Sequence, residues 1–333
     1  MIWRNHLQWL LLLPGLLLQT AAHSQWLSQE AAIMGTQVRV EHWHEDAVEG
    51  KAAIEAVLAE FRRIDRSMSP YREASELSLL NREAAKRPVS VSEELFRLLE
   101  RSLEISELTN GAFDITFASV GHQYDYRKGI APTDQKLQQD LPKIDFRHIL
   151  LNPADHSVTF KQPGVRIDLG GIAKGYAVDQ GIKILQQRNI TQALITAGGD
   201  SRLLGDRGGR PWHIGIRAPR DPQAMVAVLP LVNTAISTSG DYERYFEADG
   251  VRHHHIISPA TGRSAREVQS VTIIGPDATL TDALSTSLFV MGPAAGLQLI
   301  NTLPELEAVI IDRNGKMLYS SGLAKQAATP TTR

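Results

Sequence analysis

The amino-acid sequence predicts an α+β fold in which mixed and antiparallel sheets pack with helices. Short runs of alternating polarity, such as "IMGTQVRVEHW", recur with turn residues between them and read as strands. Longer segments, such as "AVEGKAAIEAVLAEFRRIDRSMS", repeat apolar residues at three and four positions and read as helices. Beyond residue 190 the strand-like runs follow one another through turns before the next helix arrives, as expected of an α+β chain. With 333 residues and 43% hydrophobic content, the chain can bury one large core or two ordinary ones. It has no internal repeat and no Pro-, Gly- or Ser-rich linker that would divide it.

The first segment, "MIWRNHLQWLLLLPGLLLQTAAHSQ", has a basic start at Arg4, an apolar stretch from Trp9 to Leu18, and small residues at Ala22 and Ser24. That order is the one of a secretory signal, here 1–24, cleaved before Gln25. The stretch falls short of the about 20 apolar residues of a spanning helix, and Pro14 with Gly15 interrupts it. Export is the expectation, with a retained inner-membrane anchor facing the periplasm as the alternative. The chain has no cysteine, which excludes a disulfide, a thiolate catalyst, a thiolate metal site and a lipid-modified cysteine. Thirty-five Lys and Arg against 37 Asp and Glu give a net charge of -2, with no basic block. Neither nucleic acid nor an anionic membrane surface is therefore implied as a partner.

A strand over the "IMGTQVRVEHW" run feeds a helix whose inner face is Ile54, Val57, Leu58, Phe61 and Ile64. A second helix begins at Ser92 as its cap, carries Leu95, Leu98, Leu99 and Ile105, and stops near Asn110-Gly111. The polar segment "GHQYDYRKGIAPTDQKLQQDLPKID" reads as a surface excursion. Two short strands lie in "ILLNPADHSVTFKQPGVRIDLGG", with a strand-like run leading into "DLGG", and "GYAVDQGIKILQQRN" is a helix with Ala177, Val178, Ile182 and Leu185 inward. Strands are then expected in "QALITAGGDSRLLG", "WHIGIRAP", "MVAVLPLVNTAISTSG", "HHHIISP" and "SVTIIGP". The helix "TLTDALSTSLFVMG" and the hairpin "LEAVIIDRNGKMLYSS" close the domain at residue 324, and 325–333 read as a disordered tail.

Several stretches carry chemistry. "DLGGIAKG" is not a nucleotide triphosphatase loop, because Lys174 precedes its glycine, and Gly170, Gly171 and Gly175 lack the dinucleotide spacing. Two readings stay open for it: tight packing of a strand onto a helix, or phosphate binding at a helix start with Lys174 in reach. In "TDALSTS", Asp282 and Thr286 lie four residues apart and share one helix face. Two hard oxygen ligands there suit magnesium, which keeps waters and substrate phosphates in its other positions. The alternative is an Asp placed in a first turn by the helix dipole. In "RHHHIISPATG" His253 and His255 share one side of a strand and His254 the other, and no third ligand stands at zinc spacing. A single histidine acting as proton acceptor or phosphate contact fits that stretch better.

The order of these stretches resembles a known family. "MGT" at 34–36, "GAFD" at 111–114, "DLGGIAKGYAVD" at 168–179, "AGGD" at 197–200, "STSGDYERYF" at 237–246, "HHIISPATG" at 254–262 and "TDALSTSLFVMG" at 281–292 are together similar to the ApbE family of FAD:protein FMN transferases. The resemblance spans nearly all of the mature chain, 25–324, and implies the ApbE-like flavin transferase fold, which is related to the T-fold. It implies an enzyme that uses Mg2+ to split FAD and places FMN through a phosphoester on a threonine of an acceptor protein, releasing AMP. Acceptors of that family include subunits of membrane redox pumps. The flavin contacts it implies are Met34, Tyr71, Ala112, Phe113, Asp114, Asp168, Lys174 and Ile256. The implied metal positions are Gly171 through its carbonyl, Asp282, Ser285 and Thr286. His255 and Asp282 are the expected catalytic residues, His255 as proton acceptor, with an orienting hydrogen bond or packing at the flavin site as its alternative role. Ser258 replaces an Asp common in the family, and Thr196 replaces an Asn; both bear on local turn geometry. A magnesium-dependent FAD pyrophosphatase and a non-catalytic periplasmic FAD-binding protein are the rival functions.

Overall fold

Alternating side chains make Gln25–Ile33 (β1) and Thr36–His44 (β2) the two arms of a hairpin, with Met34 and Gly35 at positive φ in its two-residue turn. In the computed structural model, which describes residues 25–328, β1 begins ahead of the strand expected from Ile33. The signal expected over 1–24 and residues 329–333 lie outside the described residues.

Asp46 caps the helix Ala47–Met68 (α1), and Ser75 caps a two-turn helix, Glu76–Glu83 (α2), that periodicity did not reveal. After Val89–Ser90 (β3), Ser92 caps Glu93–Leu108 (α3) as expected, its hydroxyl accepting from Leu95 N–H. The expected surface excursion holds more structure than its polarity suggests. Ala118–Gly121 (α4) leads into it, and Asp134–Asp140 (α5) lies within it. Its Tyr124 and Leu137 are buried beside Val120 and Ile257 in a small apolar cluster.

The hairpin Ile149–Asn152 (β4) and Ser157–Phe160 (β5) confirms the two short strands. The stretch before "DLGG", by contrast, is extended but joins no sheet. Asn81 binds Ile167 through both main-chain groups, and Ser119 accepts from Arg166 N–H. Ala173–Gln187 (α6) follows.

"QALITAGGDSRLLG" is a hairpin of Ala193–Ala197 (β6) and Asp200–Leu204 (β7), turning at Gly198-Gly199. A side chain at Gly199 would meet the Thr238 carbonyl at 2.4 Å, so the strands close only with glycine there. Trp212–Ala218 (β8) pairs with Asp221–Leu231 (β9), which is separate from Ala235–Gly240 (β10). Tyr245–Ala248 (β11) and Val251–His254 (β12) form a further hairpin, followed by Val268–Gly275 (β13) and Ala278–Met291 (α7). Pro293–Ile300 (α8), Glu307–Asp312 (β14), Met317–Tyr319 (β15) and Ser321–Ala328 (α9) complete the chain. The tail expected from residue 325 thus starts inside α9.

The main sheet runs β1-β2-β6-β7-β10-β13-β14-β15, and its pairings are antiparallel. One row of directly paired residues crosses it: Val38, Ala197, Asp200, Ser237, Ile273 and Ala308. Paired residues share a face, so this row lies under the helices. Its ends are apolar and sit in two core clusters, one under α1, α3 and α6, the other under α7 and α8. Its middle, Asp200 and Ser237, is buried but polar. Among the described residues no helix is long and apolar enough to cross a membrane.

Candidate active site

The polar middle of that row is where α6 and α7 meet the sheet. Gly175 makes the meeting possible: a side chain there would stand 2.1 Å from the Ala278 carbonyl. With none, the Gly175 N–H reaches across and donates to Asp282 Oδ2 at 3.0 Å. Asp179, one turn on, locks the same contact. Its Oδ1 accepts from Ala278 N–H at 3.0 Å, and its Oδ2 accepts from Thr279 N–H at 2.8 Å and Thr279 Oγ1 at 2.6 Å. A carboxylate at orphan amides of a helix start satisfies both the donors and the dipole.

Lys174 lies inside this junction. Its Nζ is 3.2 Å from both Asp282 oxygens, 2.9 Å from Asp200 Oδ2, and donates to the Gly170 carbonyl at 3.1 Å. Burial opposes its charge, but Asp200 and Asp282 outweigh burial and hold the ammonium above the usual lysine range. Asp282 is pushed up, first by burial and then by the Asp200 charge, against the pull of Lys174. Two carboxylates share one ammonium, so the cluster favours a further positive charge. Asp200 Oδ2, buried and without a hydrogen bond of acceptable geometry despite the nearby Nζ, is the atom left short.

Thr286 completes the face begun by Asp282. Its Oγ1 lies 3.3 Å from Ser239 Oγ, and a methyl placed on Gly171 would meet it at 3.4 Å. Asp282 and Thr286 thus share one helix face, and Gly171 lies against Thr286. Ser285 is fully buried, and its hydroxyl donates to the Asp282 carbonyl and shares a 2.8 Å bond with the same Ser239 hydroxyl. Among the described residues no group of three or more His, Asp or Glu forms a ready metal cage. The donors that are present, a carboxylate, a hydroxyl and a backbone carbonyl, are nevertheless the hard oxygens that Mg2+ takes together with water and phosphate.

The other expected contacts surround this cluster unevenly. Phe113 is buried, with its ring edge 3.3 Å from where a Gly171 methyl would stand, and half-buried Ala112 precedes it. Asp168 is half-buried beside Gly170, whose N–H donates to it at 2.6 Å; burial pushes its pKa up. Met34 stands in the β1–β2 turn and packs on the first core. Tyr71 is 84% exposed; crowding at its hydroxyl raises its pKa, Asp168 adds to this and Arg244 opposes it. Asp114 faces inward instead. Its Oδ1 accepts from Thr116 N–H and Oγ1, and its Oδ2 accepts from Phe146 N–H at 2.8 Å. Ile256 is enclosed in the second core with its N–H bonded to His254 and its carbonyl to Ala265, so it offers no free polar atom.

The histidine run divides as strand alternation requires. His254 is buried and bonds the Ala265 carbonyl through Nε2 at 2.6 Å, while His253 stacks on Phe246. His255 Nδ1 is buried without a partner among the described residues. Burial, then Arg244, His254 and Lys174, pull its pKa down to about 3, which keeps the ring neutral with a free lone pair. Two residues given no role from sequence belong here as well. Asp200 lies in "AGGD", and Arg244 lies in "STSGDYER", where its Nη2 donates to the Gly35 carbonyl at 3.2 Å and its charge acts on His255, Asp168 and Tyr71. Both segments had been quoted for their order, and the cross-strand register is what assigns their side chains.

Comparison with known proteins gives the family of the chain. The family model described as "ApbE family" matches residues 34–310. A FAD:protein FMN transferase of Treponema pallidum (strain Nichols) is 33% identical over 315 residues, 89% of this chain and 87% of that protein. One of Vibrio cholerae is 30% identical over 325 residues, 94% of this chain and 97% of that protein. Among solved structures, the ApbE protein from Thermotoga maritima superposes with a TM-score of 0.83 at 34% identity, covering 90% of this chain and 99% of its own. The flavin transferase ApbE from Vibrio cholerae gives a TM-score of 0.82 at 28% identity, covering 91% and 99%. With a family model matched over most of its length and relatives aligned almost end to end, the chain belongs to the ApbE family.

Proposed function

We propose that this chain is an FAD:protein FMN transferase whose reaction is centred on the Lys174, Asp200 and Asp282 cluster between α6 and α7. The observation that carries this reading is the charge balance there, one ammonium between two buried carboxylates, with the Thr286 hydroxyl close to Gly171 beside it. Asp282, Thr286 and the Gly171 carbonyl would hold Mg2+, with Ser285 bracing the helix behind them. When bound, the ion neutralises pyrophosphate charge, the dominant requirement in phosphoryl transfer.

The chain's own groups do the rest. Lys174 and Arg244 bring positive charge to the FAD phosphates, and exposed Tyr71 offers a ring face on which a flavin stacks. Phe113 and Met34 line the approach. An acceptor threonine Oγ forms the new bond to the FMN phosphorus, the bond from that phosphorus to the bridging oxygen breaks, and AMP leaves with the oxygen. The hydroxyl proton passes to His255, whose neutral ring carries a lone pair to take it. In this proposal the leader read over 1–24 carries the reaction out of the cytoplasm, within reach of acceptors such as subunits of membrane redox pumps.

The test incubates purified protein with FAD, Mg2+ and a threonine-bearing acceptor domain and weighs the acceptor. An FMN-sized gain in mass with release of AMP is expected, and Asp282→Ala should abolish it while retaining the native circular dichroism. Free FMN and AMP with an unmodified acceptor would reject transfer in favour of hydrolysis.

A further inference from the structure

We infer that the opposite face of the main sheet carries a second binding site, a pocket for a small anion with at least two acidic oxygens, either an organic acid or a phosphate. Val38 and Val40 point from β2 into the first core, so Arg39 and Glu41, which alternate with them, face away from the helices. There they meet the β7–β8 loop and the start of β8 around a cavity of ≈ 380 Å³. That volume suits a small ligand.

The lining is unusual in its balance of donors and acceptors. Glu41, buried, accepts from Arg39 Nη2 at 2.7 Å on one oxygen and from Arg207 Nη2 at 2.6 Å on the other. Both of its oxygens are therefore engaged, while each arginine has committed only one nitrogen to it. The Arg207 guanidinium also lies beside two indoles that touch edge to face, 5.4 Å from the Trp26 ring centre and 5.5 Å from that of Trp212. Arg210, held near by a 2.8 Å bond from Arg207 N–H to its carbonyl, has no ion pair among the described residues. Trp212 is 3% exposed, and its Nε1 is buried without a hydrogen-bond partner.

The exposed imidazole of His213 apart, every uncommitted polar side-chain atom in this lining is a donor. Three guanidinium groups against one carboxylate leave positive charge over, and their uncommitted N–H groups are donors that an anion's oxygens can accept from. Packing of Arg207 beside the tryptophans accounts for that arginine alone, and an acceptor-rich anion accounts for Arg210 as well, with the Trp212 indole as a reporter in the lining.

The test titrates ¹⁵N-labelled protein with inorganic phosphate and, separately, with citrate, following the indole N–H signal that disappears in Trp212→Phe. At physiological salt a saturable shift with half-saturation below about 1 mM is expected for one of the two. Which probe saturates names the ligand class. Arg210→Gln, an exposed change outside the catalytic junction, should weaken that binding about tenfold or more while FMN transfer stays at the parent rate. No saturable shift with either probe, the same shift with chloride, or unchanged affinity in Arg210→Gln would overturn the site.

Discussion

At the scale of single residues, Asp114 shows how a resemblance and a geometry divide. Family order marks it as a flavin contact, yet its carboxylate accepts from two Thr116 groups and from Phe146 N–H, tying the loop after α3 to the segment before β4. A motif position reports that a residue matters, and only its partners report whether it touches a ligand or holds those that do. Burial raises its pKa to about 6 against its hydrogen bonds. Because the folded value lies above the unfolded one, its contribution to stability is fully present below the unfolded pKa and is lost as pH rises through about 6. Relative to Asp114→Asn, the parent should therefore gain on the order of 2 kcal/mol in urea unfolding between pH 7.5 and pH 4.5. A difference that stays constant with pH would show that this carboxyl is not strained by its charge.

At the scale of elements, the glycine-rich start of α6 shows the packing reading at one residue and sets the lysine of the other reading among carboxylates. Gly175 is the packing glycine, because α7 passes where its side chain would be, and Lys174 is the charged group at the site. Spacing could not separate the two, since the deciding neighbour, Ala278, lies about a hundred positions away in sequence. The shared face of Asp282 and Thr286 was legible because it depends on one helix alone. Asp200 and Arg244 were not, since strand register and a hairpin bring them in. Helices α2 and α8 were hidden for a simpler reason: eight residues hold too few turns to display a period. Gly175→Ala puts this junction to the test. The new methyl must push α7 away, which should cost about 1–3 kcal/mol in urea unfolding. It should also break the bond from Gly175 N–H to Asp282, and misplacement of this kind lowers transfer by about 100-fold. Parent-level transfer with parent-level stability would mean that the helices do not need this approach.

At the scale of the whole molecule, two apolar clusters share one sheet and one helix. Ala278 and Ala283 of α7 belong to the first cluster, while Leu284, Leu288 and Phe289 belong to the second. The row from Val38 to Ala308 likewise runs unbroken from one to the other, with the buried carboxylate Asp200 at its centre. A chain of this length can unfold in stages, and two cores would make that the default. The shared elements argue against it, because α7 cannot leave one cluster and remain in the other. Phe289→Ala, which empties a fully buried ring position in the second cluster, should cost about 3–5 kcal/mol. Among the described residues the tryptophans are Trp26, Trp43 and Trp212, all on the first-cluster side of the sheet. If unfolding is cooperative, their fluorescence transition moves to lower urea by the same amount as far-ultraviolet circular dichroism does. If the second cluster melts alone, circular dichroism splits into two steps and the tryptophan midpoint stays where it was. The site would then lie on a seam between two separately stable halves, with Lys174 and Asp200 on one and Asp282 on the other.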